Sequence, residues 1–317
     1  MIGKKGIAMA EINYDFHTTR SNKYPKIKKL GICSSGHEMT PFVWKGKLMR
    51  MEMTVPTNEL DPNRERFASI RDCESGKIIS TMGYDCYFHS AYVEEDVAYV
   101  LAVDLSDRSS IRIFESHDLI NWTDRVLITN PGWVYYNTSL TKGPDGYVLC
   151  IEASEPAELV GEPFTLFFAT SPDLVNWTHM TPEHCFSRER YNGGPWMRYS
   201  KGWYYLISVT LLPCRRFTNY IFRTKDFLDW EVGFYNPILM PSEEDHIISP
   251  NASELTEDIY KYAKCGFNIN NSDIDMCDWN GKTYINYLVS NQLGTFGYMC
   301  EAMAEGTVAE FLKSYFE

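Results

Sequence analysis

Three copies of one short phrase, at nearly equal spacing, constrain this chain more than any other feature. They read Ser116-His-Asp118-Leu-Ile-Asn121-Trp122, Ser171-Pro-Asp173-Leu-Val-Asn176-Trp177 and Thr224-Lys-Asp226-Phe-Leu-Asp229-Trp230. The tryptophans lie 55 and then 53 positions apart. A fixed period of this size marks a chain that repeats one supersecondary unit. A β-rich run precedes each copy: 111–114, 164–168 and 220–222. The hydroxyl and Asp are expected to turn the chain by bonding nearby backbone groups. The Leu or Phe and the Trp then fold back as apolar plugs.

A second repeat supports the first. The stretches Glu38–Met49, Phe88–Tyr99, Thr138–Leu149, Gly194–Tyr205 and Asp273–Tyr284 each read as strand, tight turn, strand. Their turn residues Gly46, Asp96, Gly146, Gly202 and Gly281 are 50, 50, 56 and 79 apart. Five such hairpins, each followed by outer strands, predict an all-β, five-bladed β-propeller as one domain over 1–317. The blades fall at about 30–82, 83–130, 131–186, 187–238 and 265–305. Residues 239–264 form a short helical insertion, with a helix over Ser253 to Ala263, and Thr307 to Phe316 reads as a C-terminal helix. Closure of the ring is expected to join the N- and C-terminal segments. In such a fold the first strand of each blade lines the central channel, and alternation decides which residues face it.

Composition narrows the partners. Aromatics make up 15 % of the 317 residues, which suits a β-rich protein with stacking surfaces. A net charge of −12 disfavours nucleic acid, which needs a basic face. No apolar run is long enough to predict a membrane span. The N-terminal apolar stretch is too short to predict a secretory leader. Nine cysteines without a C-x-x-C pattern point to free thiols and a reducing, cytoplasmic setting.

The repeated Ser-x-Asp-Leu-x-Asn-Trp phrase resembles that of the five-bladed-propeller glycosidases, the glycoside hydrolase family 43 and 32 clans with the related families 117 and 130. Gly194–Leu206 is similar to their Gly-Pro-…-Gly-Tyr-Tyr-Leu strand. The resemblance covers roughly 30–300. It implies a funnel holding three carboxylates: a base, an acid, and a third group that tunes them. Glycosidic cleavage needs a carboxylic acid for the leaving oxygen and a carboxylate opposite it, with roughly 6.5–9.5 Å between them when a water must fit. Glu38 stands where the relatives carry their base Asp. Their acid would fall just before Gly194-Pro195, where this chain reads Tyr191-Asn192-Gly193. Their second-blade Asp position is Phe88 or His89. Two of the three expected carboxylates are therefore missing from those places.

By register, the positions level with Glu38 are Phe88, Thr138, Gly194 and Asp273. Two residues further on come Thr40, Ser90, Leu140, Trp196 and Asp275. A one-residue slip would bring in His37, His89, Asn137 and Asn271. Asp273 and Asp275, at i and i+2 on a strand, share a face. Glu38 and Asp273 are thus expected to be the main pair, base and acid in either order. His89 is the alternative acid, as the family 117 resemblance implies, and Asp275 the tuning group. Trp196 and the Tyr135-Tyr136 pair are candidate sugar platforms. Asn137, Asn271, Arg198 and Glu152 are further candidate substrate contacts. Arg215 and Arg216 join Arg198 as candidates for an acidic sugar or a phosphate. No cofactor is required; an ion held by Asp273, Asp275 or His89 would be Ca²⁺ or Mg²⁺. The expected activity is hydrolysis of a short oligosaccharide from one end. The alternatives are a phosphorylase with a basic phosphate clamp and a propeller that binds carbohydrate without turning it over.

Overall fold

The computed structural model describes residues 25–54, 66–252, 255–265, 268–291 and 297–317. It contains five antiparallel four-stranded sheets. Blade 1 runs Met39–Trp44, Lys47–Thr54, Phe67–Asp72, Ile78–Met82. Blade 2 runs Cys86–Glu94, Val97–Asp104, Ser110–Ser116, Thr123–Thr129. Blade 3 comprises Val134–Gly143, Gly146–Glu155, Thr165–Ser171 and Thr178–His179. Blade 4 comprises Asn192–Ser200, Trp203–Leu212, Arg216–Thr224 and Glu231–Val232. Blade 5 is built from Asn270–Trp279, Lys282–Ser290 and Gly297–Glu305, with Ile27–Ser34 as its outer strand. The chain is a five-bladed propeller.

The ring closes through that last strand. Ile27 pairs with Ala304 and Ile32 with Cys300, antiparallel. This corrects the expectation that blade 1 starts near residue 30: residues 30–34 belong to blade 5. The cause is an open edge. After Glu305 the chain turns into the helix Val308–Ser314, so no following strand covers Gly297–Glu305 and the opposite end of the chain must. The insertion clamps the closing strand from outside. The Ile32 amide donates to the Ile247 carbonyl (2.7 Å), and the Ser249 amide to the Ile32 carbonyl (2.8 Å). Gly31 (φ 103°) is required here, because a Cβ would lie 2.1 Å from the Ile247 carbonyl oxygen. The insertion helix covers Glu257–Cys265, later than expected, and residues 253 and 254 lie outside the described residues. Thr307 caps the C-terminal helix in a capping box with Glu310.

The repeated phrase works as wedge and turn. Asp118 Oδ1 accepts from the amides of Ile120 and Asn121, both at 2.8 Å, and Ser116 Oγ accepts from the Leu119 amide at 2.9 Å. Leu119, Leu174 and Phe227 all adopt left-handed backbone (φ 62–63°) and turn inward. Each packs between its own blade and the one before it: Leu119 with Met51 and Ile70, Leu174 with Leu101 and Ile113, Phe227 with Phe168 and Cys150. The core is thus a set of wedges between blades. Trp122 reaches back to donate to Ser80 Oγ of blade 1 (3.0 Å).

The joint between blades 5 and 1 differs. Arg50 is fully buried there and meets Glu52 at 3.0 Å and Glu301 at 3.6 Å. Arg71 meets Glu52 at 3.0 Å. Glu301 also accepts from Tyr284, Ser249 and Asn251. Beside it, buried Asp245 of the insertion pairs with Lys29 at 2.8 Å and accepts from Tyr287, Asn268 and Asn271. Apolar clusters lie at this joint too, Met39 with Cys33 and Met299 and Leu48 with Cys277 and Tyr284, and the closure adds buried ions and hydrogen bonds to them. No helix among the described residues is long and apolar enough to cross a membrane. The eight cysteines whose side chains are described are free thiols.

Candidate active site

Every inner strand runs from one mouth of the channel down to its hairpin turn, so the residues at the strand starts meet at that mouth. In blades 2 to 5 a bulge interrupts the pairing just there: between Tyr87 and Ser90, Tyr135 and Thr138, Gly193 and Trp196, and Ser272 and Asp275. Bulges re-aim side chains and favour such sites. Phe88, Gly194 and Asp273 occupy left-handed backbone within them. Blade 3 corrects the expected register. Its turn is Pro144-Asp145, and Gly146 already pairs with Gly143 as part of the next strand. Counting from Gly146 slipped the blade by one residue. Asn137, rather than Thr138, is level with Glu38, Gly194 and Asp273, and Ser139 replaces Leu140 one layer down.

The mouth closes on a pocket lined by Glu38, His89, Ser90, Asn137, Thr138, Gly194, Pro195, Asp273 and Asp275. Its volume is about 20 Å³, enough for one ordered water. Glu152 stands behind this lining, on the second strand of blade 3. Its Oε2 accepts from Asn137 Nδ2 (3.0 Å) and from the Gly194 amide (2.9 Å). Gly194 lies between two acids: a Cβ there would fall 2.2 Å from Asp273 Oδ1. Only glycine admits both that approach and the backbone angle (φ 48°). Just before Gly194-Pro195, where the relatives' acid was expected, this chain has Gly193, where a Cβ would lie 3.0 Å from Glu152 Oε1.

Electrostatically the site is four carboxyl groups without a cation among its lining residues. Burial first, then the charges of Asp273, Asp275 and Glu152, hold the Glu38 carboxyl well above the usual range. Burial and Asp273 push Glu152 up to about 8, against the hydrogen bonds from Asn137 and Gly194. Asp275 is pushed up to about 7 by burial, opposed by the hydroxyl of Thr40, which donates to it. Asp273 is raised by burial alone and eased by the Ser272 hydroxyl at 2.6 Å. The charge of Asp273 adds to burial in raising the other three, and since repulsion between buried carboxylates is mutual, the four groups share fewer charges than carboxyls.

His89 is buried, and burial lowers it to about 4, so it is neutral near pH 7. Its Nε2 lies 3.2 Å from the Gly83 carbonyl and must carry the hydrogen. Nδ1 is then a lone pair, buried without a partner among the described residues. In its neutral form His89 therefore has an acceptor at Nδ1 and no free donor. Among the described residues no three His, Cys, Asp or Glu side chains group to hold a metal ion.

Three expected contacts lie elsewhere. Below Asp275 and Ser90 the channel widens into a chamber of about 320 Å³. Trp196 and Arg198 line this chamber, with the guanidinium 5.5 Å from the Trp196 ring centroid. Trp196 is 4 % exposed and packs in the wedge between blades 4 and 5, because the bulge at Gly194-Pro195 carries it past the mouth. It is no platform for a sugar at the carboxylates. The chamber is the larger cavity, but the shifted acids are at the mouth. Asn271 points away to Asp245 Oδ2 (3.2 Å), just above the bulge that turns Asp273 inward.

An aromatic wall rises from the pocket across blades 2 to 4. Successive ring centroids are 4.2 Å apart for Tyr87–Phe88, 5.3 Å for Phe88–Tyr136 and 4.3 Å for Tyr136–Phe164. Phe164–Tyr191 follows at 5.3 Å and Tyr191–Phe217 at 5.2 Å. The charges of Glu152, Asp273 and Glu38 add to burial in raising the Tyr191 phenol, which ties the wall to the acids. Of the expected tyrosine pair, Tyr136 stands in this wall, while Tyr135 is buried in the core.

No family model matches this chain, and no curated protein does. Solved structures do. A protein described as a glycoside hydrolase superposes with a TM-score of 0.60 at 10 % identity, covering 90 % of this chain and 93 % of its own. An α-L-arabinofuranosidase from Podospora anserina, solved with cellotriose, gives 0.58 at 10 % identity, covering 90 % and 98 %. A family 43 glycoside hydrolase protein from Bacillus licheniformis gives 0.56 at 13 % identity, covering 87 % and 54 %. The chain shares the five-bladed propeller of these glycoside hydrolases.

Proposed function

We propose that this chain hydrolyses a glycosidic bond at the end of a short oligosaccharide. The observation that carries the reading is the meeting of Glu38 from blade 1 with Asp273 and Asp275 from blade 5, backed by Glu152 from blade 3, in a pocket lined by no lysine or arginine. Hydrolysis needs one group that holds a proton for the leaving oxygen and one that is ionised to activate water or attack the sugar. Asp273, whose charge the Ser272 hydroxyl stabilises, takes the ionised role. Glu38, pressed by three other acids, keeps its proton and is the acid. Asp275, held by Thr40, tunes the pair. Glu152 does not line the pocket; it fixes Asn137 and the Gly194 backbone. The pocket seats the water, and the wall from Phe88 to Tyr191 offers ring faces to the sugar.

A panel of aryl glycosides and short oligosaccharides, assayed for released sugar, tests this. Turnover by the native chain, lost in Asp273→Asn and Glu38→Gln, is the expected result. Activity that survives both changes would overturn it. The glycine where the relatives' acid was expected favours a second reading, a propeller that only binds sugar. That reading would show as binding across the panel without turnover.

A further inference from the structure

The wall of rings carries unpaired arginines. Eight arginines among the described residues, Arg125, Arg188, Arg190 and Arg198 included, have no ion pair there, whereas Arg50, Arg71, Arg112 and Arg223 are all ion-paired on the blades. Arg108 is not, among the described residues. It sits in the blade 2 loop between Val97–Asp104 and Ser110–Ser116, at the mouth end, in left-handed backbone (φ 56°). Its guanidinium lies 4.1 Å from the Tyr136 ring centroid and 5.8 Å from that of Phe88. Those residues directly precede Asn137 and His89 of the pocket. One Nη donates to the Tyr135 carbonyl (3.3 Å), and Nε is buried without an acceptor among the described residues. Arg66 stacks on Tyr87 at 4.9 Å, at the near end of the wall. Arg215 and Arg216 are exposed just before Phe217, at the far end. No ion pair engages these four among the described residues. In a chain of net charge −12, cations left unpaired on one aromatic rim call for an anion from outside.

We propose that this rim selects an oligosaccharide carrying a carboxylate, a uronic acid unit held by Arg108 while its ring stacks on Phe88 or Tyr136. The planar guanidinium matches a carboxylate, and stacking on Tyr136 fixes its plane in advance. The acids below do not defeat this selection, because burial raises all four and they carry less than their full charge near neutral pH. This inference rests on the hydrolase reading for its location, and adds the charge of the substrate.

The test compares binding of galacturonic acid trimers with that of the matching galactose trimers, by calorimetry on the full chain. The native protein is expected to prefer the acidic trimer by about tenfold or more, the equivalent of one charged hydrogen bond. Raising salt from about 50 to about 500 mM should shrink that preference. Arg108→Gln should remove most of it and Arg108→Lys restore part, with the neutral trimer bound as before. A native chain that binds both trimers alike, binds neither, or keeps its preference in Arg108→Gln overturns the proposal. Should Arg108→Gln fail to fold, the trimer comparison and salt series on the native chain decide alone. Asp273→Asn separates the two ideas: it should abolish turnover and leave the charge preference. Turnover that survives it sinks the assignment of Asp273 without touching the preference.

Discussion

Two groups of buried acids face opposite fates in this propeller. At the joint of blades 5 and 1, Glu52 and Glu301 meet Arg50 and Arg71, and Asp245 meets Lys29. At the channel mouth, Glu38, Glu152, Asp273 and Asp275 meet one another, amides and hydroxyls, with no ion pair among the described residues and only Asp275 eased by a cation, Arg198. Burying an ion is costly unless it is paired. The closure satisfies that rule and so locks the ring. The mouth breaks it, so its acids must share protons, and shifted carboxyls gathered in a cleft are what acid–base chemistry uses. The same residue types therefore mark structure in one place and function in the other, and the presence of an ion pair distinguishes them.

The comparison can be broken first at the mouth. Asp273→Asn and Glu38→Gln are each expected to cut turnover by about 10²–10⁴-fold, the usual worth of an acid or base, with the melting temperature held or raised. Kinetics with a thermal melt on the same samples checks both halves. The closure should behave in reverse. Arg50→Met strands buried Glu301 and leaves Glu52 to Arg71 alone, and should cost about 3–5 kcal/mol in denaturant unfolding, while the folded fraction keeps its turnover.

Proton linkage sharpens the contrast. Glu152 and Asp275 have folded values near 8 and 7, above their unfolded ones. Between about pH 4.5 and 8 the folded chain then binds more protons than the unfolded chain, and stability falls as pH rises through that window. Glu152→Gln, which keeps an acceptor for Gly194, should be more stable than native at pH 8 and close to it at pH 5. Equal melts at both pH values would contradict the shift. The smallest effect is expected from His89→Phe, which removes an acceptor: about a tenfold rise in KM, with the pH profile of kcat unmoved. A lost limb in that profile would restore His89 as a proton donor.

Much of the fold was legible because its signals are local. The wedge phrase needs only seven consecutive residues, and each hairpin declares itself by its turn. Closure was not legible, since Ile32 pairs with Cys300 across almost the whole chain and carries no phrase. At the site, Glu38, Asp273 and Asp275 could be reached by counting back from the turns. Blade 3 misled the count because Gly146 looks like a turn residue and is paired as strand. The bulges hid the rest. Phe88 in left-handed backbone has no signature in sequence, and a bulge decides that Trp196 sinks into a wedge while Asn271 faces away. The wall was invisible for another reason: its rings come from separate strands and strand ends of three blades and meet only in space. Glu152 ends an apolar strand, and nothing nearby says that it reaches Gly194.

The central claim is that the mouth holds acids that cannot all ionise together. Carboxyl carbon NMR, with glutamate and aspartate labelled and assigned through Glu152→Gln and Asp275→Asn, measures this directly. Titration of Glu152 near pH 8 and of Asp275 near 7, with Glu38 still protonated when Asp273 has ionised, is the expected result. Four mouth carboxyls that all titrate between about pH 3 and 5 would contradict it.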